Sequence, residues 1–203
     1  ANSLFIYVFK DGVLQDTLTQ PLVVGSNHVV YTNLNSDYTY DFRIEADYDV
    51  LDGSGLQVNK KLLDQSLQTV AKELPTASVG SIGSTTESIT FDVTVADVDD
   101  VIEVGTVYAV LYYNNTPTGL MQPLVVGENL SVSFSGIKSQ TPYTIKIIAD
   151  YDLNNGDGIV TAYPVTEFTF VTAAKLIPVA TIEDIVPSTD SIEFDVTLSD
   201  FDS

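Results

Sequence analysis

From Ser88 to Ala96 apolar and polar side chains alternate, with Ile89, Phe91, Val93 and Val95 on one side and Thr90, Asp92 and Thr94 on the other. A period of two marks a strand with one buried and one wet face. The same alternation returns in Leu130, Val132 and Phe134 against Ser131, Ser133 and Ser135. It returns again in Tyr143, Ile145, Ile147 and Ala149 against Thr144, Lys146, Ile148 and Asp150. Residues 40–47 repeat that last pattern, with Tyr40, Phe42, Ile44 and Ala46 inward and Asp41, Arg43, Glu45 and Asp47 outward. The polar residues differ between the two stretches while the apolar ones keep their places, so burial is what both preserve. Val107–Tyr113 and Leu4–Phe9 are apolar on both faces, which predicts a central strand or one covered on its outer side. Turn-forming residues punctuate the runs at Asn114-Asn115, Gly127-Glu128-Asn129 and Ser139-Gln140-Thr141-Pro142. About seven strands in roughly 100 residues cannot hide both sets of faces in one sheet, so the pattern predicts a two-layer, all-β sandwich.

The chain also matches itself at a shift of 103 residues. Ser88-Ile89-Thr90-Phe91-Asp92-Val93-Thr94-Val95-Ala96-Asp97 recurs as Ser191-Ile192-Glu193-Phe194-Asp195-Val196-Thr197-Leu198-Ser199-Asp200, and Ala46-Asp47-Tyr48-Asp49 as Ala149-Asp150-Tyr151-Asp152. Gln20-Pro21-Leu22-Val23-Val24-Gly25 recurs one residue out of step as Gln122-Pro123-Leu124-Val125-Val126-Gly127, a slip that a loop between Gly12 and Gln20 absorbs. Pro75 and Pro178 open equivalent copies. The phase therefore predicts one complete domain over 74–172, the C-terminal two-thirds of a preceding one over 1–73, and the N-terminal strands of a further one over 173–203. On this reading the chain is a cut from a longer array; the alternative is that the flanking pieces complete each other between molecules by strand exchange.

One segment carries a family likeness. Between Ser135 and Ala149 an apolar residue, Ile137, precedes Tyr143 by six positions, a turn lies between, and an alternating strand ending in Ala149 follows. Leu34, Tyr40 and Ala46 have the same spacing. This resembles the E-to-F segment of fibronectin type III domains. The resemblance implies a seven-stranded Greek-key sandwich in tandem, with strand B at Ser88–Ala96, C at Val107–Tyr113, E at Leu130–Phe134 and G at Thr166–Val171. It also implies a tyrosine corner, in which the hydroxyls of Tyr40 and Tyr143 bond back to nearby backbone. The family usually places a Trp in strand B; this chain has none, and Phe91 or Val93 fills that position. An immunoglobulin-like relative fits the same sandwich. If Tyr108, Val110 and Tyr112 face the core as in the family, then Val107, Ala109 and Leu111 face outward, as do Leu4, Ile6 and Val8. Such an apolar stripe on a sheet marks a contact surface.

Composition narrows the function classes. The chain is 44% hydrophobic and contains no Cys, so packing alone, without disulfide staples, must hold it together. Its formal charge of -20 repels phosphate backbones and anionic lipid, which argues against nucleic acid as a partner. No apolar run approaches the roughly 20 residues a membrane-spanning helix needs, and Ala1-Asn2-Ser3 lacks the basic start of a signal peptide, so no membrane insertion is expected. With no Cys and a single histidine, His28, nucleophilic triads and zinc sites lack raw material, and no catalytic residues are expected. Gly53-Ser54-Gly55 reads as a flexible hairpin tip because no helix follows it.

The acids offer one candidate cofactor site. In a fibronectin-like sandwich the B–C and F–G loops share a pole, so Asp97, Asp99 and Asp100 would approach Asp150, Asp152 and Asp157. Carboxylates gathered without Lys or Arg repel unless a cation such as calcium intervenes. The alternative is solvated loop acids, and Asp150–Gly158 does not fit an EF-hand, because position twelve is Thr161 rather than Glu.

Tandem modules without catalytic residues serve as spacers or joints. The family resemblance therefore implies a structural component of a bacteriophage virion (tail tip, baseplate or fibre) whose partners are other proteins of the assembly or further copies of the chain. The alternative is a bacterial surface adhesin, or the spacer of a secreted enzyme, located outside the cell and facing a host surface or a glycan. Tyr48, Tyr151 and Tyr163 are the candidate glycan contacts, although the first two share the core-facing parity.

Overall fold

β-branched and aromatic residues at alternating positions form strands along nearly the whole chain. The computed structural model describes residues 3–200. It divides into two units, Ala1–Leu74 with Val98–Val101 and Tyr151–Val160, and Pro75–Asp97 with Ile102–Asp150 and Thr161–Ser203.

The first unit contains β1 (Leu4–Lys10), β2 (Val13–Leu14), β3 (Gln20–Pro21), β4 (Thr39–Tyr48) and β5 (Gln57–Gln68). They make one sheet in the order β2-β1-β4-β5, with β3 also paired to β1. The register sets Leu4 opposite Ala46, Ile6 opposite Ile44 and Val8 opposite Phe42. It continues with Ile44 opposite Leu63 and Tyr40 opposite Leu67. Directly opposed residues share a face, so this sheet has one apolar face, joined by Val29 and Tyr31. Residues 22–38 form no strand.

The second unit contains β6 (Thr76–Ser84), β7 (Ser88–Ala96), β8 (Tyr108–Tyr113), β9 (Thr116–Pro123), β10 (Gly127–Ser135), β11 (Pro142–Tyr151) and β12 (Val160–Val171). These seven strands make two antiparallel sheets, ordered β10-β7-β6 and β12-β11-β8-β9. That is the A-B-E and C′-C-F-G arrangement of a fibronectin type III-like Greek-key sandwich. Ile89, Phe91, Val93 and Val95 from one sheet meet Leu111, Ile145, Ile147 and Phe170 from the other in a single core. The Phe91 ring lies 5.3 Å edge-on to Phe168 and 6.3 Å from Phe134.

β13 (Val179–Pro187) and β14 (Ile192–Ser199) pair only with each other, and their residues are exposed on both faces. β14 repeats β7 in sequence, but without a second layer Phe194 is 47% exposed where Phe91 is 1%.

Two sequence-based expectations are corrected here. Val107, Ala109 and Leu111 are not an outward stripe: all three are buried, the last two completely. Register is the reason, since Leu111 lies opposite Ile145 and Ala109 opposite Ile147, both core residues of β11. Tyr108, Val110 and Tyr112 therefore take the outer face. Leu4, Ile6 and Val8 likewise share the apolar face of their sheet with Phe42 and Ile44. The second correction is Leu130, expected inward but 68% exposed. β10 bulges between Asn129 and Val132, where Ser131 adopts φ 55° and its N–H donates to Asp92 Oδ1 at 2.8 Å. A bulge adds one residue to one strand and turns its neighbour off the ladder.

Candidate interaction surfaces

Two side chains recur at one pole of each unit and tie the turn before the tyrosine-bearing strand to the last strand. The Lys138 N–H donates to Tyr143 Oη at 3.0 Å, and the Asn35 N–H donates to Tyr40 Oη at 2.9 Å. Thr172, nearly fully buried, donates from Oγ1 to the Lys138 carbonyl at 2.6 Å and accepts the Thr141 N–H at 3.0 Å. Thr69 repeats the pattern, donating to the Asn35 carbonyl at 2.6 Å and accepting the Tyr38 N–H at 3.0 Å. The threonines escaped sequence reasoning, although their separation of 103 residues was a readable signal. Tyr143→Phe should destabilise the second unit by about 1–3 kcal/mol, because it leaves the Lys138 N–H without its acceptor. Urea titration followed by circular dichroism measures this, and an unchanged midpoint would mean the hydroxyl contributes nothing.

The six candidate aspartates lie on β11 (Asp150) or in the loops that follow β7 and β11. Among the described residues no three His, Cys, Asp or Glu side chains are grouped to hold a metal ion. Five of the carboxylates instead accept hydrogen bonds from nearby donors. Asp97 takes the Ile102 N–H at 2.8 Å, Asp99 the Glu73 N–H at 2.7 Å, Asp150 the Ala162 N–H at 2.7 Å and Asp152 the Asn154 N–H at 2.7 Å. Asp157 takes the Asn155 side-chain amide at 2.7 Å. Asp100 sits in a turn at φ 52°. The first copy reproduces two of these bonds, Asp47 accepting the Asn59 N–H at 2.7 Å and Asp49 the Leu51 N–H at 2.8 Å. The repeated Ala-Asp-Tyr-Asp block thus holds residues with positive φ, Asn59 and Ala162 on the last strand, Leu51 and Asn154 in the loop. Hydrogen bonds from the Ser3 hydroxyl and the Asn59 N–H keep the Asp47 carboxyl below the usual carboxylate range.

The repeated Pro-Leu-Val-Val-Gly block has a comparable explanation. Asn129 accepts the Val125 N–H at 2.9 Å and donates to the carbonyls of Val125 (2.9 Å) and Gly127 (3.1 Å). Asn27 makes the same three bonds to Val23 and Gly25. Each asparagine closes a tight loop that buries Leu124 in the second unit and pushes a valine pair outward in both, with Val24 reaching 91% exposure. An apolar pair held rigidly in water in both copies is a candidate contact point. It was visible in the sequence as a repeat, but its exposure was not.

The outer face of the first sheet bears a shallow polar cleft lined by Phe9, Asp41, Arg43, Asp64 and Ser66. Arg43 lies over the Phe9 ring at 4.7 Å with its Nε 3.6 Å from Asp64, inside ion-pair range but too long for a hydrogen bond. Lys61, 2.9 Å from Asp64, is the main influence holding that carboxyl below its ordinary range. These are charges paired to one another at the surface. His28 is exposed in the strandless segment 22–38. Of the candidate glycan contacts Tyr151 is buried, Tyr163 half-buried and Tyr48 exposed.

No family model matches the sequence, and no curated protein matches it. Among solved structures the chain is similar to the chicken CNTN1 FN1-FN3 domains, with 15% identity and a TM-score of 0.34, covering 85% of this chain and 54% of that one. It is also similar to the chicken interferon gamma receptor alpha chain, with 12% identity and a TM-score of 0.33, covering 85% of this chain and 86% of that one. The chain thus spans about half the length of the first of these structures. Its class, an all-β chain with a fibronectin type III-like sandwich, follows from the strand order of the second unit itself.

Proposed function

We propose that the chain is a non-catalytic spacer and interaction module of an extended array, belonging to a bacteriophage virion as part of a tail, baseplate or fibre. The observation that carries the modular part of this reading is the repeated framework. The tyrosine, threonine, aspartate and asparagine hydrogen bonds recur at equivalent places in both copies, whereas the outward residues of the tyrosine-bearing strands (Asp41, Arg43 and Glu45 against Thr144, Lys146 and Ile148) differ. An array that projects or joins other parts needs each module to hold its shape and leaves its surface free to diverge. The absence of Cys and the charge of -20 suit a protein folded in a reducing cytosol and kept soluble until it assembles. No helix among the described residues is long and apolar enough to cross a membrane. The complete reading frame and its neighbours test the virion assignment. Adjacent tail-structure genes support it, while a secretion signal or wall anchor in the same frame replaces it with a bacterial surface protein.

A further inference from the structure

The two sheets of the second unit end in four strands, β10 and β6 in one and β12 and β9 in the other. Each of the four departs from regular strand geometry. Between Val93 and Phe91 of β7 only Asp92 intervenes. Opposite it β10 places Leu130 and Ser131 and β6 places Gly80 and Ser81, two residues against one on both flanks. β12 carries Ala162 at φ 51° and also Pro164, which has no N–H to offer a neighbouring strand. β9 loses register with β8 between Val110 and Tyr112, and it carries Pro117 and Gly119, the latter at φ 86°.

Two of these irregularities are held by the same chemical device. A residue other than glycine at positive φ on the edge strand donates its N–H to an aspartate carboxylate on the inner strand beside it. Ser131 (φ 55°) donates to Asp92 on β7 at 2.8 Å, and Ala162 (φ 51°) to Asp150 on β11 at 2.7 Å. The first copy repeats the second bond, Asn59 (φ 51°) on β5 donating to Asp47 on β4 at 2.7 Å. There too the register sets two residues, Val58 and Asn59, against the single Asp47. Neither Ser nor Ala favours left-handed backbone, so the carboxylate imposes the conformation rather than the residue that adopts it.

We infer that Asp92 and Asp150 are edge guards: each carboxylate holds a bulge in an edge strand, and the bulges keep β10 and β12 from pairing with strands of a neighbouring copy. A flat edge presents a row of free N–H and C=O groups that another strand can join, and a bulge bends and twists that row out of line. The hazard is greatest in an array, where modules of similar sequence sit close together and mispair. Strands able to join are built into this chain, since β14 repeats β7 and β11 repeats the apolar pattern of β4. The guard is a property of one seven-stranded module and stands independently of the virion assignment.

Sedimentation velocity and amide exchange on the full 203-residue chain test the guards. Asp92→Ala and Asp150→Ala remove the acceptors and should lower the concentration at which half of the protein associates at least tenfold. In the associated samples the amides of β10 in the first variant, and of β12 in the second, should exchange at least tenfold more slowly. Asp92→Asn and Asp150→Asn keep an oxygen acceptor but lose the charge, and both should stay within twofold of the unmodified chain. Tyr143→Phe weakens the same module from an inner strand and should also stay within twofold. Should Asp92→Ala fail to fold, deletion of Leu130 reads the same edge, because it removes the extra residue and leaves Ser131 opposite Asp92; it too should associate at least tenfold more readily. Alanine and deletion variants that associate no more readily than the unmodified chain overturn the inference. An equal rise in Tyr143→Phe overturns it by making lost stability the cause, and an equal rise in the asparagine variants by making lost charge the cause. Protection gained elsewhere but not in β10 or β12 overturns it as well.

Discussion

Phe91→Ala should remove about 3–5 kcal/mol from the stability of the second unit, the usual cost of truncating a buried aromatic and leaving a cavity. Phe91 is enclosed between the two sheets, edge-on to Phe168 and beside Phe134, so neither neighbour can move into the space without abandoning its own packing. Native-state hydrogen exchange at the amides of β11 measures the change within the second unit. The same truncation at the sequence-equivalent Phe194, half exposed on the β13–β14 hairpin, should stay within about 0.5 kcal/mol. Equal losses at the two sites would mean that the hairpin already has a second layer over it, or that Phe91 does not.

Leu111→Ala is the second large effect, about 2–5 kcal/mol, again read from β11 exchange. Leu111 is completely buried opposite Ile145 in the middle of the larger sheet, and its removal opens the core at its centre. Leu130→Ala provides the contrast. That leucine is rotated out by the β10 bulge, and its truncation should change stability by no more than about 0.5 kcal/mol. The phase implied by the family resemblance exposes Leu111 and alternation buries Leu130, the reverse order, so the pair separates the two accounts directly.

The difference between those two leucines has a physical source. In Val107–Tyr113 every residue is apolar, so period two is present without a label saying which phase faces inward. Only the register with β11, whose polar face is unambiguous, assigns the phase. In β10 the alternation is clean, but Ser131 at positive φ interrupts it, and the acceptor that stabilises the bulge, Asp92, lies 39 residues away on β7. Long-range hydrogen bonds of this kind leave no local trace. The aspartates of the loops follow the same logic. Clustered charge suggests a cation, yet the backbone donors that occupy those carboxylates become visible only when the loop is folded around them.

What the sequence determined by itself was the repeat, the all-β class and the inward face of each strand where polar and apolar residues alternate, because these depend on composition and a two-residue period written locally in the chain. It also marked the tyrosine corner, through spacing that a family resemblance made readable. What only the tertiary structure decided was the phase of the strand that is apolar on both sides, the bulge that exposes Leu130, the engagement of the aspartates and the exposure of the repeated valine pair. Each depends on a partner from another strand or loop, and such pairing is fixed by packing across the sandwich rather than by neighbours along the chain.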